Sequence, residues 1–217
     1  MKLSPVYIVL ISWIHLIAGQ ALPLIDSVCL AVQRQRLECQ VHRVETADGY
    51  RLSVHRIPAP RHPRCASLQL RPFLLMHGLL GSAGDFVTGG RGRSLALELH
   101  ARCFDVWMGN ARGTTYSREH RSLATSDARF WQFSWHEIGI YDLPATVDYV
   151  LARTGHRQLH YVGHSQGTTV LLVLLSQRPE YNARFTNAAL MAPVAFLKHL
   201  SSPPLRLLAS DSSGVTP

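Results

Sequence analysis

The chain has 217 residues, 47% of them hydrophobic, enough for one domain with a substantial core. Its formal net charge is +8, carried almost entirely by scattered arginines, since lysine occurs only at Lys2 and Lys198. No basic stripe interleaved with aromatics stands out, so the charge argues against nucleic-acid binding and for a solvated, arginine-rich surface, with at most weak attraction to anionic lipid.

The first residues read as a secretory signal. Lys2 supplies the positive start, residues 6–18 are mostly apolar, and the small residues Ala18, Gly19 and Ala21 place cleavage after Gly19 or Ala21. The apolar run is short for a membrane span; an uncleaved anchor is the competing reading. Secretion implies an oxidising compartment. Cys29, Cys39, Cys65 and Cys103 allow three pairings, and the sequence does not choose among them. Cys29 and Cys39 are close enough to close a small loop, and four free thiols are the alternative. No Cys/His spacing suits zinc, so neither a metal nor a cofactor is expected. No Asn-x-Ser/Thr sequon occurs.

Residues 41–46 and 50–57 alternate on either side of Ala47-Asp48-Gly49, which predicts a hairpin. Residues 58–64 form a proline-rich, basic loop. Residues 72–76 are continuously apolar, as in a buried parallel strand, and end at His77-Gly78-Leu79-Leu80-Gly81-Ser82. A helix over 94–101, a strand over 104–108 and a loop rich in Gly, Thr and Arg over 109–120 follow. The aromatics of 130–135 read as the packing of a long loop rather than a ligand surface. Residues 135–153 have a helical period, with Ile138, Tyr141, Val147, Val150 and Leu151 on one side. Pro144 inside that run predicts a kink or a helix start nearby. An apolar strand over 159–162, a helix over 168–175 that stops before Pro179, and a strand over 188–191 complete the pattern. Strand and helix alternate after residue 70, so the fold class is α/β, a mostly parallel sheet with the hairpin as its antiparallel edge.

Between the strand at 159–162 and the next helix stands Gly163-His164-Ser165-Gln166-Gly167. Strand, sharp turn and helix with a serine at the apex is the nucleophile elbow of α/β-hydrolases. A glycine-rich turn with Ser165 as an N-cap is the plainer reading of the pentapeptide alone. Gly163 and Gly167 support the elbow by letting strand and helix pass closely. Ser165 would attack an ester carbonyl, whose developing negative charge needs preplaced N–H donors. One is the backbone N–H of Gln166. The other belongs to the loop after an earlier strand, where His77-Gly78-Leu79 assigns it to the Leu79 N–H.

Met76-His77-Gly78-Leu79-Leu80-Gly81-Ser82, Asp105-Val106-Trp107-Met108-Gly109-Asn110-Ala111-Arg112-Gly113, Phe130-Trp131-Gln132-Phe133-Ser134-Trp135, Tyr141-Asp142-Leu143-Pro144-Ala145 and the elbow occur in an order that resembles the acid lipases, the gastric and lysosomal lipases and their insect relatives. Thr114 departs from the asparagine usual there. The resemblance runs from about residue 37 to 200. It implies a secreted or lysosomal serine hydrolase that cleaves carboxylic esters of neutral lipids at a lipid–water interface, with Ser165 as nucleophile and Leu79 and Gln166 as oxyanion donors. It divides the chain into a signal (1–21), an amino-terminal lipase-associated segment (22–68), a partial α/β-hydrolase core (69–200) and an atypical tail (201–217).

The acid and base that should serve Ser165 do not follow it in the expected order. Beyond the serine stand Glu180, His199 and Asp211, and Asp211 after His199 reverses the order Ser, acid, His. The expectation is an α/β-hydrolase fold truncated before its cap and last strands, with weak or no activity of its own and an exposed sheet edge that favours aggregation. The alternative is a non-catalytic secreted product that binds lipid or a partner. His77 is a poor substitute base because its loop supplies an oxyanion donor. His164 is expected to point away from the nucleophile.

Overall fold

The computed structural model describes residues 26–66, 68 and 70–196. The signal at 1–21, His199, Asp211 and the tail at 201–217 lie outside the described residues. Helix α1 (Ser27–Gln33) leads into strands β1 (Gln40–Glu45) and β2 (Tyr50–Ile57). Then come β3 (Phe73–Met76), α2 (Leu95–Ala101), β4 (Val106–Met108), β5 (Glu119–His120), α3 (Leu143–Thr154), β6 (Leu159–His164), α4 (Gln166–Gln177) and β7 (Phe185–Met191). The strands form one seven-stranded sheet of order β1-β2-β4-β3-β6-β7, with β5 beside β2. From β4 onward the neighbours are parallel, whereas β2 runs antiparallel to β1, β4 and β5.

The hairpin forms as its sequence predicts. Its turn closes through Gly49 N–H donating to the Thr46 carbonyl at 2.9 Å, with Gly49 at φ 102, where a side chain is strained. The same hairpin joins the main sheet through β2 and β4, so the amino-terminal segment and the core share one sheet. The short β5 lies in a stretch that reads as loop, because two residues carry no alternation.

Continuous apolar runs arise because both faces of the central strands are covered. In β3, Leu74 and Met76 face one core and Leu75 the other; in β4, Trp107 takes the first and Val106 and Met108 the second. The first core packs α3 and α4, and the second packs α1, α2 and the 3-10 turn Ala83–Phe86. This is a three-layer α/β/α arrangement. Both disulfides lie on or beside the second layer. Cys29–Cys39 ties α1 to the start of β1, and Cys65–Cys103 ties the helical turn Pro63–Ala66 to the end of α2. The choice left open by spacing is thus resolved by which thiols the layers bring together.

Residues 135–154 are not one helix. A capped turn at Trp135–Glu137 passes into π-helical Ile138–Asp142, and α3 begins with Pro144 in its first turn. Pro144 has no N–H to donate to the carbonyl four residues back, which is where the hydrogen-bond ladder changes step. Of the aromatics at 130–135, Phe130 is wholly buried while Trp131 and Trp135 keep part of their rings in solvent. No helix among the described residues is long and apolar enough to cross a membrane.

Candidate active site

β6 ends where α4 begins, and Ser165 is the hinge, with φ 50 and ψ −113. A non-glycine residue there carries strain of order 1–3 kcal/mol, so the surroundings must hold it. They do so from three sides. The Ser165 N–H donates to the Met191 carbonyl at the end of β7, 2.9 Å away. Its carbonyl accepts from the Thr168 N–H at 2.9 Å and the Thr168 hydroxyl at 2.6 Å. The Tyr161 hydroxyl, wholly buried, donates to the Gly167 carbonyl at 2.6 Å.

Close approach explains the two elbow glycines. A Cβ on Gly163 would lie 2.6 Å from the Gly167 carbonyl oxygen, and one on Gly167 would lie 2.3 Å from the Met76 carbonyl oxygen. The first contact sets strand against helix; the second sets the helix start against the end of β3. Met76 pairs with Gly163, so the loop that leaves β3 begins beside the elbow. Gly78 then rests on it, since a Cβ there would lie 3.1 Å from both the Ser165 Cβ and His164 Nδ1. His164 is exposed, and its ring lies beside Gly78, with no described hydrogen bond to the Ser165 hydroxyl.

Residues 78–81 form a turn closed by Gly81 N–H donating to the Gly78 carbonyl at 3.1 Å, with Leu80 at φ 60. Leu79 is half exposed and Leu80 almost fully so. Among the described residues neither the Leu79 nor the Gln166 N–H donates a hydrogen bond within the fold. Two uncommitted donors therefore stand on the two segments that meet at Ser165.

His77 is 3% exposed, and both its nitrogens are engaged. The Ala111 N–H donates to Nε2 at 3.1 Å, and Nδ1 lies 2.8 Å from the Gly78 carbonyl. Burial holds the imidazole below its usual range, although the Gly78 carbonyl and Asp85 favour the charged form. A ring so committed cannot take the serine proton. Glu180 is excluded by distance. It follows the twelve residues of α4 and pairs with Arg178, about 18 Å of helix away from the elbow. No described carboxylate or imidazole hydrogen-bonds to the Ser165 hydroxyl.

The loop after β4 supports this corner. Asn110 Oδ1 accepts from Ala83 N–H at 2.9 Å, and its Nδ2 donates to the Ser53 carbonyl at 2.7 Å and to His55 Nδ1 at 3.0 Å. His55 Nε2 therefore carries the proton and donates to Asp26, 2.8 Å away. Asp26, His55 and Cys29 cluster closely enough to suggest a metal site. Cys29 is bonded to Cys39 and Asp26 caps α1, so these groups already have partners.

Next in the loop, Arg112 is buried between two carboxylates. It reaches Asp48 at 2.6 Å and Asp142 at 2.7 Å, and lies 3.9 Å from the Tyr50 ring. Burial disfavours the charge on Asp48, but hydrogen bonds from Arg112 and Thr46 outweigh it and hold the carboxyl below its usual value. Complete burial pushes Asp142 up to about 6, against the pull of Arg112. Burial also opposes the guanidinium charge, and the two aspartates more than offset this. In the sequence Arg112, Asp142 and Asn110 stand out only as parts of the acid-lipase-like phrases. Nothing in the sequence singles out Arg112 among the many arginines; its pairing with Asp48 and Asp142 appears only when the hairpin turn and the π-helical turn come together.

Residues 71–212 match the model of the alpha/beta hydrolase fold family. The chain belongs to the α/β-hydrolases. Residues 31–90 match a second model, a partial alpha/beta-hydrolase lipase region. The chain is 46% identical to Lipase 1 of Drosophila melanogaster over 178 residues, covering 82% of this chain and 39% of that one. It is 43% identical to gastric triacylglycerol lipase of Bos taurus, covering 75% and 41%. It is 43% identical to human lysosomal acid lipase/cholesteryl ester hydrolase, covering 76% and 41%. Within the α/β-hydrolases it groups with these lipases, as its motifs indicate. It spans about two fifths of the length of the curated relatives it matches. A solved aryl esterase-like protein from Burkholderia cenocepacia shares the fold, with TM-score 0.51 at 22% identity, covering 76% of this α/β-hydrolase and 52% of that chain.

Proposed function

We propose that this α/β-hydrolase is the elbow-bearing part of a lipase that cleaves carboxylic esters of neutral lipids, with Ser165 as nucleophile and the Leu79 and Gln166 N–H groups as oxyanion donors. The observation that carries the proposal is the strained Ser165 turn pressed against a loop whose N–H has no internal acceptor. Attack by Ser165 Oγ on an ester carbonyl forms a tetrahedral oxyanion, and collapse expels the alcohol and leaves an acyl-enzyme that water hydrolyses. Aligned donors are worth several kcal/mol to that oxyanion. The general base and its acid would come from outside the described residues. Neutral-lipid substrates fit the rim around the serine, where Leu79, Leu80 and Met191 expose apolar surface. Gastric and lysosomal relatives, together with two disulfides, support a secreted or lysosomal location.

Hydrolysis of emulsified tributyrin and of a soluble short-chain ester tests the proposal. Wild type is expected to exceed Ser165→Ala on both. Equal rates for the two proteins would reject it.

A second reading, lipid binding without catalysis, is favoured by the absence of any described partner for the Ser165 hydroxyl. In that case emulsion binding persists unchanged in Ser165→Ala, and neither protein hydrolyses ester.

A further inference from the structure

We propose that His77 is a positioning residue that fixes the direction of the Leu79 N–H through the peptide bond between Gly78 and Leu79. The proposal rests on the reading of Ser165 as nucleophile and Leu79 as an oxyanion donor. The tautomer of His77 follows from its neighbours. A backbone N–H can only donate, so Nε2, which faces the Ala111 N–H at 3.1 Å, is the acceptor. Nδ1 then carries the proton and donates to the Gly78 carbonyl at 2.8 Å. That carbonyl and the Leu79 N–H belong to one planar trans peptide, so they point in opposite directions. Holding one holds the other. The Gly81 N–H supplies a second hydrogen bond to the same carbonyl, from within the turn, while His77 ties it to the sheet.

The ring is itself held. It is buried at the end of β3, and its Nε2 is engaged by Ala111, next to Asn110, whose amide accepts from Ala83 at the far end of the same loop. Residues 110 and 111 thus support the donor loop at both ends, and His77 transmits that support to one peptide plane. Gly78 lies against Ser165, so a rotation of this plane displaces the donor where the substrate carbonyl would sit. Misplacing a catalytic donor by about 1 Å costs on the order of 10²-fold in rate.

Two variants separate positioning from simple packing. In His77→Asn the side-chain amide N–H reaches about the place of Nδ1 and keeps the donor to Gly78. In His77→Gln the amide oxygen reaches about the place of Nε2 and keeps only the acceptor for Ala111. Labelling of the full chain by a fluorophosphonate is split into reversible affinity and rate of inactivation. His77→Gln is expected to slow inactivation about tenfold or more with affinity kept, and His77→Asn to recover most of that loss, although both lower the melting temperature. Equal slowing in the two variants, or slowing in neither, would overturn the proposal. Ring nitrogen-15 shifts of the wild type provide an independent check, with Nδ1 protonated and Nε2 bare expected. The opposite tautomer overturns the proposal whether or not Ser165 is labelled. A wild type that is not labelled but shows the expected tautomer rejects the nucleophile reading, and with it any catalytic role for the pinned peptide.

Discussion

At Ser165 the chain trades backbone comfort for exposure of one hydroxyl. A φ of 50 with ψ −113 is tolerated because the residue before it ends a strand, the residue after it starts a helix, and Met191 and Thr168 bind its peptide groups. Glycine meets no such penalty. Ser165→Gly is therefore expected to be more stable than wild type by about 1 kcal/mol, the strain released exceeding the added freedom of the unfolded chain. Denaturant melts with the disulfides intact measure this. A loss of stability would show that the serine is not strained. The glycines at 163 and 167, the sharp turn at Ser165 and the turn that follows β3 at 77–79 were legible because each answers a local demand for a turn or a close approach. The hydrogen bonding of His77 was not, because it depends on Ala111, thirty-four positions away, arriving at its far nitrogen.

Elements meet at Arg112. It links the hairpin turn through Asp48 to the π-helical turn through Asp142, and the Tyr50 hydroxyl of β2 binds the Phe130 carbonyl in the same corner. Removing Arg112 leaves the buried Asp142 carboxylate unmatched, and removing Asp142 leaves the buried guanidinium with Asp48 alone. Arg112→Met and Asp142→Leu are each expected to cost about 3–5 kcal/mol, and the double variant to cost far less than their sum. A double-mutant cycle measures the coupling, and additive losses would contradict it. The elements themselves were largely legible. Alternation gave β1 and β2, and continuous apolar runs gave β3, β4 and β6, because two cores cover both faces of the central strands. The change of helical step at 138–142 escaped the periodicity, since the apolar face persists across it while the hydrogen bonds shift. The Cys65–Cys103 link escaped too, because its partners are brought together only by the packing of α2.

On the scale of the molecule, the sheet ends at β7, which pairs with β6 alone among the described residues. Six of its seven residues are exposed, and Leu190, Met191 and the following Phe196 present apolar surface beside an open strand edge. Such an edge invites pairing with other chains. The 217-residue chain, expressed without residues 1–21, is expected to self-associate, and Leu190→Lys to reduce that association. Sedimentation velocity decides between them, and a monodisperse wild-type monomer would contradict the expectation. The apolar rim and the elbow share the carboxyl end of the sheet, so the surface proposed to meet lipid is also the one that presents Ser165. The most direct measurement of the whole account is the site of a fluorophosphonate adduct, read by intact mass and peptide mapping. The account predicts a single adduct on Ser165 that is absent from Ser165→Ala. A folded chain with no adduct, or with its adduct on another residue, would contradict it.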